Sequence, residues 1–421
     1  MQFLPYIDNL FIDGARQSEK PGSEYETSFI YPLSELEKRR ADAQQLMHKE
    51  KLDALLITND ENFLYLIGLP GPYGQHRSND RPGVAIIPST GAAVCIVSGA
   101  TSPNIKPVVK KQNIHEYTST LGIDTELIVQ ALREVGLKNK RIGIEGGLSQ
   151  RLGMPFNDYA RVLKAFPEIS FVDAASLLWK MRMVKSDTEI RFLKQSADIV
   201  DRARQKCFDE LSVGMTYREI NRLFSKLMLE EGADAPAFTI VGSWPQDNTA
   251  AVGKDFVIYR ILQPDIATRA GEALFLDGGA YVHVYTVDYN RWAVFGKAAA
   301  KMRKYHEIAR NVSMKMGEAM RPGMTCSDVF KVAQKELKAA GAYSDQIFAG
   351  RMGHGQGMLW TEPPSVAPAD KTVLEPGLVI STEPFATGES MWVAWEDTWV
   401  VREDGAELLT KESGELREIS R

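Results

Sequence analysis

Five residues in the second half of the chain have the types and settings that metal chemistry uses. Asp277 ends the apolar run 273–276 and Asp288 ends 284–287. His354 stands between Gly353 and Gly355, Glu383 follows 378–382, and Glu396 follows 392–395. A carboxylate at the end of an apolar strand is costly to bury unless it is paired or metal-bound. Taken singly, such an acid is most often a cap or an ion-pair partner. Four in one domain repel one another unless cations sit between them. Four carboxylates balance two divalent ions, and one imidazole is a usual addition. An oxygen-rich set with one nitrogen favours Mn²⁺, Fe²⁺, Co²⁺ or Zn²⁺ over a thiolate site. Cys95, Cys207 and Cys326 all lie away from these segments.

The elements that must position these groups fall into two regions. Residues 1–30 read as a polar arm, and 31–180 as an α/β domain. Within it the pattern predicts a helix from about Pro32 to Lys51, strands at 55–58 and 63–66, and a hairpin at 84–97. A helix at 125–135 and a strand at 141–144 continue the alternation. Near Met181 the texture changes. Ser186-Asp187-Thr188-Glu189 is a capping box, in which serine and glutamate satisfy each other's orphan amides, and a long amphipathic helix to about Leu211 should follow. Residues 181–421 form the second domain, with the ligands. It repeats itself weakly: Val213-Gly214-Met215-Thr216-Tyr217-Arg218-Glu219 matches Pro322-Gly323-Met324-Thr325-Cys326-Ser327-Asp328. In both a glycine ends one helix and a threonine caps the next. The fold expected is α/β (α+β), its second domain two α/β halves around a pseudo-twofold axis.

The order Asp277, Asp288, His354, Glu383, Glu396 resembles the pita-bread metallohydrolases: methionine aminopeptidase, prolidase, aminopeptidase P and creatinase. The local contexts resemble that family's motifs too: Leu276-Asp277-Gly278-Gly279, Asp288-Tyr289-Asn290-Arg291, Gly353-His354-Gly355-Gln356-Gly357, the segment 375–384, and Trp395-Glu396-Asp397-Thr398. The resemblance spans about 180–412, and a creatinase-like N-terminal domain fits 30–175. It implies that Asp277 chelates one metal, that His354 and Glu383 hold the other, and that Asp288 and Glu396 bridge them, with one ion in place of two as the alternative. Such ions lie about 3.5–4 Å apart and activate a water. Asp288, Glu396 and Glu383 are then the catalytic groups.

Departures from the pattern matter equally. Peptidases of this family carry two further histidines that handle substrate and protons. Here their places fall in Asp247-Asn248-Thr249-Ala250-Ala251-Val252-Gly253-Lys254 and at Thr361-Glu362-Pro363-Pro364, which hold none. His283 is the nearest spare histidine, a candidate substrate contact whose plainer reading is a strand residue with a local hydrogen bond. The expected activity is metal-assisted hydrolysis of a C–N bond in a small peptide-like or amidino substrate, though not as a general prolidase. Alternatives are a lyase acting on a small onium acid such as dimethylsulfoniopropionate, and a catalytically silent binding module.

Composition removes other classes. Hydrophobic residues make up 44% and the net charge is −5, so the chain is globular, without a footprint for nucleic acid or anionic membrane. No apolar run is long enough to span a bilayer, and no secretory signal is visible. Three cysteines suit the cytoplasm. Six of the seven tryptophans fall in the second domain, among them Trp360, a candidate wall of the substrate pocket; core packing is the plainer reading for most. The polar loop 71–81 offers His76, Arg77 and Arg81 to a substrate carboxylate, with a solvated loop as the plainer reading. A homodimer in which that loop faces the partner's metal site is the expected assembly.

Overall fold

The computed structural model describes residues 30–68, 83–119, 123–137, 140–251, 264–345, 350–411 and 414–420. The chain divides into two units, Met1–Leu177 and Leu178–Arg421.

In the first unit α1 (Leu33–Glu50) leads to β1 (Ala54–Ile57), α2 (Asp60–Ile67), and the hairpin β2 (Val84–Pro88) and β3 (Val94–Ser98). Then come α3 (Ser102–Ile105), β4 (Ile114–Tyr117), α4 (Thr125–Glu134), β5 (Arg141–Ile144), α5 (Phe156–Ala165) and β6 (Ser170–Asp173), and α6 (Ala175–Met183) carries the chain over into the second unit. The strands make one mixed sheet, β4-β3-β2-β1-β5-β6. Leu56, Ile86, Ile96 and Ile142 anchor its core against the helices. One expectation fails: residues 63–66 lie in α2, not in a strand. Asn59 accepts from the Glu61 amide, Asp60 and Glu61 occupy the first turn, and Gly68 closes the helix at φ 91°. These end signals outweigh the β-like side chains between them.

The second unit contains α7 (Asp187–Glu210), α8 (Tyr217–Glu230), and β7 (Ala235–Pro245), β8 (Glu272–Tyr281) and β9 (Tyr289–Phe295). A second round follows: α9 (Ala300–Ala319), α10 (Cys326–Ala339), β10 (His354–Gly355), β11 (Glu362–Ser365), β12 (Val379–Thr382), β13 (Phe385–Gly388), β14 (Met391–Ala394), β15 (Asp397–Arg402), β16 (Gly405–Leu408) and β17 (Arg417–Ile419). The sheets run β17-β9-β8-β7 and β11-β10-β12-β15-β16, with β13-β14 as a separate hairpin.

The internal repeat holds at the level of single hydrogen bonds. Thr216 and Thr325 each complete a capping box. Gly214 N donates to Thr268 O and Thr268 N to Met215 O; Gly323 N donates to Leu374 O and Leu374 N to Met324 O. Tyr217 N to Ile266 O likewise matches Cys326 N to Thr372 O. The predicted capping box at Ser186–Glu189 is present, and its helix ends at Glu210. Helix α7 then fixes the approach to β9: Ser196 Oγ accepts from Val287 N and donates to Ala280 O, and Tyr285 donates to Glu189.

Candidate metal centre

Each half contributes two acids in or at the ends of neighbouring antiparallel strands. Asp277 lies in the middle of β8, which runs on to Tyr281 instead of ending at the acid, and pairs with Asn290. Asp288 immediately precedes β9; residues 284–287 form a turn and an extended link instead of a strand. In the other half Thr382 pairs with Asp397, so one further step of that register sets Glu383 against Glu396. His354 comes from β10, squeezed between β11 and β12. A Cβ on Gly353 would lie 2.1 Å from Ser381 O, and one on Gly355 2.2 Å from Pro363 O. The two glycines around the histidine are thus required by backbone approach.

Asp288, His354 and Glu396 bring ligand atoms within 4.8 Å of one another, and all three are buried. His354 Nε2 lies 3.6 Å from Asp288 Oδ2 and 3.5 Å from Glu396 Oε1. Its Nδ1 is 3.0 Å from the Gly355 carbonyl, which only accepts, so the proton sits on Nδ1 and the Nε2 lone pair faces the acids. Burial, then Arg351, lower its pKa to about 3, so the ring is neutral, the form that ligates. Asp277 and Glu383 complete the cluster electrically. Burial and the charges of Asp277 and Glu383 raise the Asp288 carboxyl well above its ordinary range. Burial, Asp288, Glu383 and Asp277 do the same to Glu396, against a hydrogen bond from Ser381. Glu383, half-buried, is pushed up to about 8 by burial and Asp277, with Arg351 opposing.

These residues fit a divalent-cation site. Asp288 Oδ1 and Glu396 Oε1 are buried with no hydrogen-bond donor among the described residues. Orphan carboxylate oxygens beside a neutral imidazole and two more acids are costly as they stand, and a cation removes the cost.

Several supporting residues escaped the sequence reading. Gln356 Nε2 donates to Asp288 O, and its Oε1 accepts from Thr398, tying the two halves together. Asn290 Nδ2 reaches Glu396 Oε2 at 3.4 Å. Arg291 donates to Glu396 O at 2.6 Å and to Asp397 Oδ1 at 2.6 Å, beneath the Trp395 ring. All of them stand inside the quoted motifs, but as context; their partners lie across the fold, beyond reach of spacing arguments. A cavity of about 940 Å³ lined by Arg291, Trp292 and His306 backs onto this arginine and includes none of the five candidate ligands.

The remaining candidates separate. His283 sits exposed at φ 55° in the 282–285 turn, its amide bonded to Asp234 and its ring edge-on to Phe192 at 4.5 Å. That is a turn role, not the strand role expected, and it brings the ring to none of the acids. Trp360 is partly buried, 5.0 Å from the Phe238 ring. Phe238 lies two residues from Ile240, which pairs with Asp277, so both share the Asp277 face of the sheet. His76, Arg77 and Arg81 lie outside the described residues.

Comparison with known proteins agrees with this architecture. The model of metallopeptidase family M24 matches residues 191–403, and that of the creatinase/prolidase N-terminal domain matches 39–184. The Xaa-Pro dipeptidase of Pyrococcus furiosus is 28% identical over 369 residues, covering 87% of this chain and 99% of that protein. Among solved structures, the Xaa-Pro dipeptidase from Bacillus anthracis superposes with a TM-score of 0.78 at 22% identity, covering 91% of this chain and 99% of that one. The prolidase from Pyrococcus furiosus superposes with a TM-score of 0.72 at 25% identity, covering 88% and 99%. The fold is that of the pita-bread enzymes, and the chain belongs to metallopeptidase family M24, a family of metal-dependent hydrolases.

Proposed function

We propose that this chain hydrolyses a C–N bond in a small peptide-like substrate, using divalent ions held by Asp277, Asp288, His354, Glu383 and Glu396. The observation that carries the reading is the convergence of Asp288, His354 and Glu396 within 4.8 Å around carboxylate oxygens that lack donors among the described residues. Bound there, divalent ions would polarise a carbonyl and acidify water. The protein's own groups do the rest. Asp288 and Glu396 hold fixed positions because Gln356 and Arg291 grip their backbones. His354 keeps one tautomer through Gly355 O. Glu383 is the least buried of the four acids as a residue, and it would be the one to take and return a proton.

Peptidase-type histidines are absent from the two expected places, and Thr361 fills one of them. A positioned acid–base group contributes roughly 10²–10⁴-fold, so turnover of Gly-Pro or Ala-Pro with Mn²⁺ should be poor. The test is a screen of prolyl dipeptides, other dipeptides and creatine-like compounds in isotope-labelled water. Label in the product from a non-prolyl substrate supports the reading. An unsaturated product without label would overturn it in favour of elimination. The proposed assembly is a homodimer, to be checked by light scattering.

A further inference from the structure

We propose that the cavity behind Arg291 is a second binding site of this chain, for a small α-amino acid with an apolar side chain. Its volume of about 940 Å³ suits a small molecule. Arg303, His306, Glu307 and Arg310 fall at i, i+3, i+4 and i+7 of α9, so they share the helix face that lines it. Arg291 and Trp292 reach it from β9. His306 is the residue that points to a ligand. It is 4% exposed and meets the Trp395 ring edge-on at 5.2 Å. Its ring has no hydrogen-bond partner among the described residues. Its nitrogens are not among the fully buried unpartnered atoms, so they remain within reach of the cavity that the ring lines. A buried imidazole left unsatisfied is costly, and a polar ligand group removes the cost.

Charge then decides what binds. Burial, then Arg291, Arg310 and Arg303, lower the His306 pKa to about 3, so the ring is neutral and offers one donor and one acceptor. The same three guanidiniums make the surroundings of that ring positive and draw a carboxylate toward it. Two acids of the lining are already engaged, Asp209 by Arg417 and Glu418 by Arg303. Two others, Glu307 and Glu415, are exposed, form no ion pair among the described residues, and suit an ammonium group. Buried Trp292 and Leu416 add apolar surface. A carboxylate, an ammonium and an apolar side chain together describe an apolar amino acid. That is the class of product a peptide hydrolase releases, although the site stands without the hydrolase reading. Arg291, which lines the cavity, also donates to Glu396 O, so the ligand would sit directly behind the metal centre.

The test is calorimetric titration of the full-length, chelator-treated protein with L-leucine, leucinamide and 4-methylpentanoate, so that bound metal cannot be the receptor. Leucine should bind at least roughly tenfold more tightly than leucinamide, which lacks the carboxylate. It should bind about two- to fivefold more tightly than 4-methylpentanoate, which lacks the ammonium group, because the acids that receive it are exposed. His306→Phe, which keeps an aromatic ring against Trp395, and Arg310→Met should each weaken leucine about tenfold. Glu307→Gln lies on the surface, serves if those variants do not fold, and should narrow the gap between leucine and 4-methylpentanoate. No saturable binding of leucine, equal binding of all three compounds, or a leucine affinity unchanged in all three variants would overturn the site. Binding of 4-methylpentanoate as tight as that of leucine would overturn the amino-acid assignment. Leucine binding in a protein that turns over no peptide would count against the hydrolase reading alone.

Discussion

His354 offers one ring nitrogen to the acids because the other is committed to a carbonyl, and Asp288 and Glu396 are held by Gln356 and Arg291 through their backbone carbonyls. Such outer partners typically carry 10–100-fold in metal affinity or activity. Gln356→Ala should therefore weaken Mn²⁺ binding by roughly that factor while the fold survives, since Gln356 links Asp288 O to Thr398 rather than filling core volume. Asp288→Ala and Glu396→Ala should go further and remove bound metal and activity together, measured by metal analysis beside turnover. Activity with metal retained in either variant would sink the ligand assignment. Asp288, His354 and Glu396, which the structure brings together, were legible as candidates because each stands beside an apolar segment, and the order of the five residues resembles a known ligand set. The supporting role of Gln356 was not legible, because its partners, Asp288 O and Thr398, lie far from it in sequence.

At the scale of elements, the segment carrying Trp360 and Thr361 is pinned by a buried charge triad. Glu362 takes Arg182 at 2.5 Å and Lys185 at 3.2 Å, with all three side chains at most 3% exposed. Leu359 N adds a third donor. Burial pushes the Glu362 carboxyl up, but the two cations and these hydrogen bonds outweigh it and leave it below its ordinary range. Glu362→Ala would strand two buried cations and should cost about 3–5 kcal/mol in chemical denaturation. The pH sign follows from the lowered pKa. The folded state holds this proton less tightly than the unfolded chain, so the contribution is present above the ordinary glutamate pKa. It is lost as pH falls through the folded value, in the acid range. A Glu362→Gln variant should flatten that acid limb; an unchanged limb would show that other carboxyls carry it. Sequence patterning read helices with caps well, as at Ser186 and Thr325, because the capping signal is local. It failed at 63–66, where β-like side chains sit between an Asn59 cap and Gly68, and at 284–287, where Ser196 and Glu189 of a distant helix set the path.

Across the whole molecule, every candidate ligand lies between Asp277 and Glu396, inside the unit Leu178–Arg421. The first unit has a core of its own, built on Leu56, Ile86 and Ile142, and holds none of the candidate ligands. Length alone made two domains the natural expectation. The loop 71–81 carries the assembly proposal on sequence alone, since it lies outside the described residues. The asymmetry between the units has a thermodynamic consequence. A ligand that binds only the native state stabilises by RT ln(1 + [L]/Kd), about 2.7 kcal/mol at a hundredfold excess over Kd. For a unit of this size that corresponds to a shift of roughly 5–10 °C. Mn²⁺ should therefore raise the melting transition of the second unit, and a chelator should lower it, while the first unit's transition stays put. Calorimetry with and without chelator measures the shifts, and limited proteolysis across each transition assigns it to 30–177 or 178–420. Equal shifts in both transitions would place metal outside the Asp277–Glu396 cluster, and no shift in either would mean that the acids do not hold it.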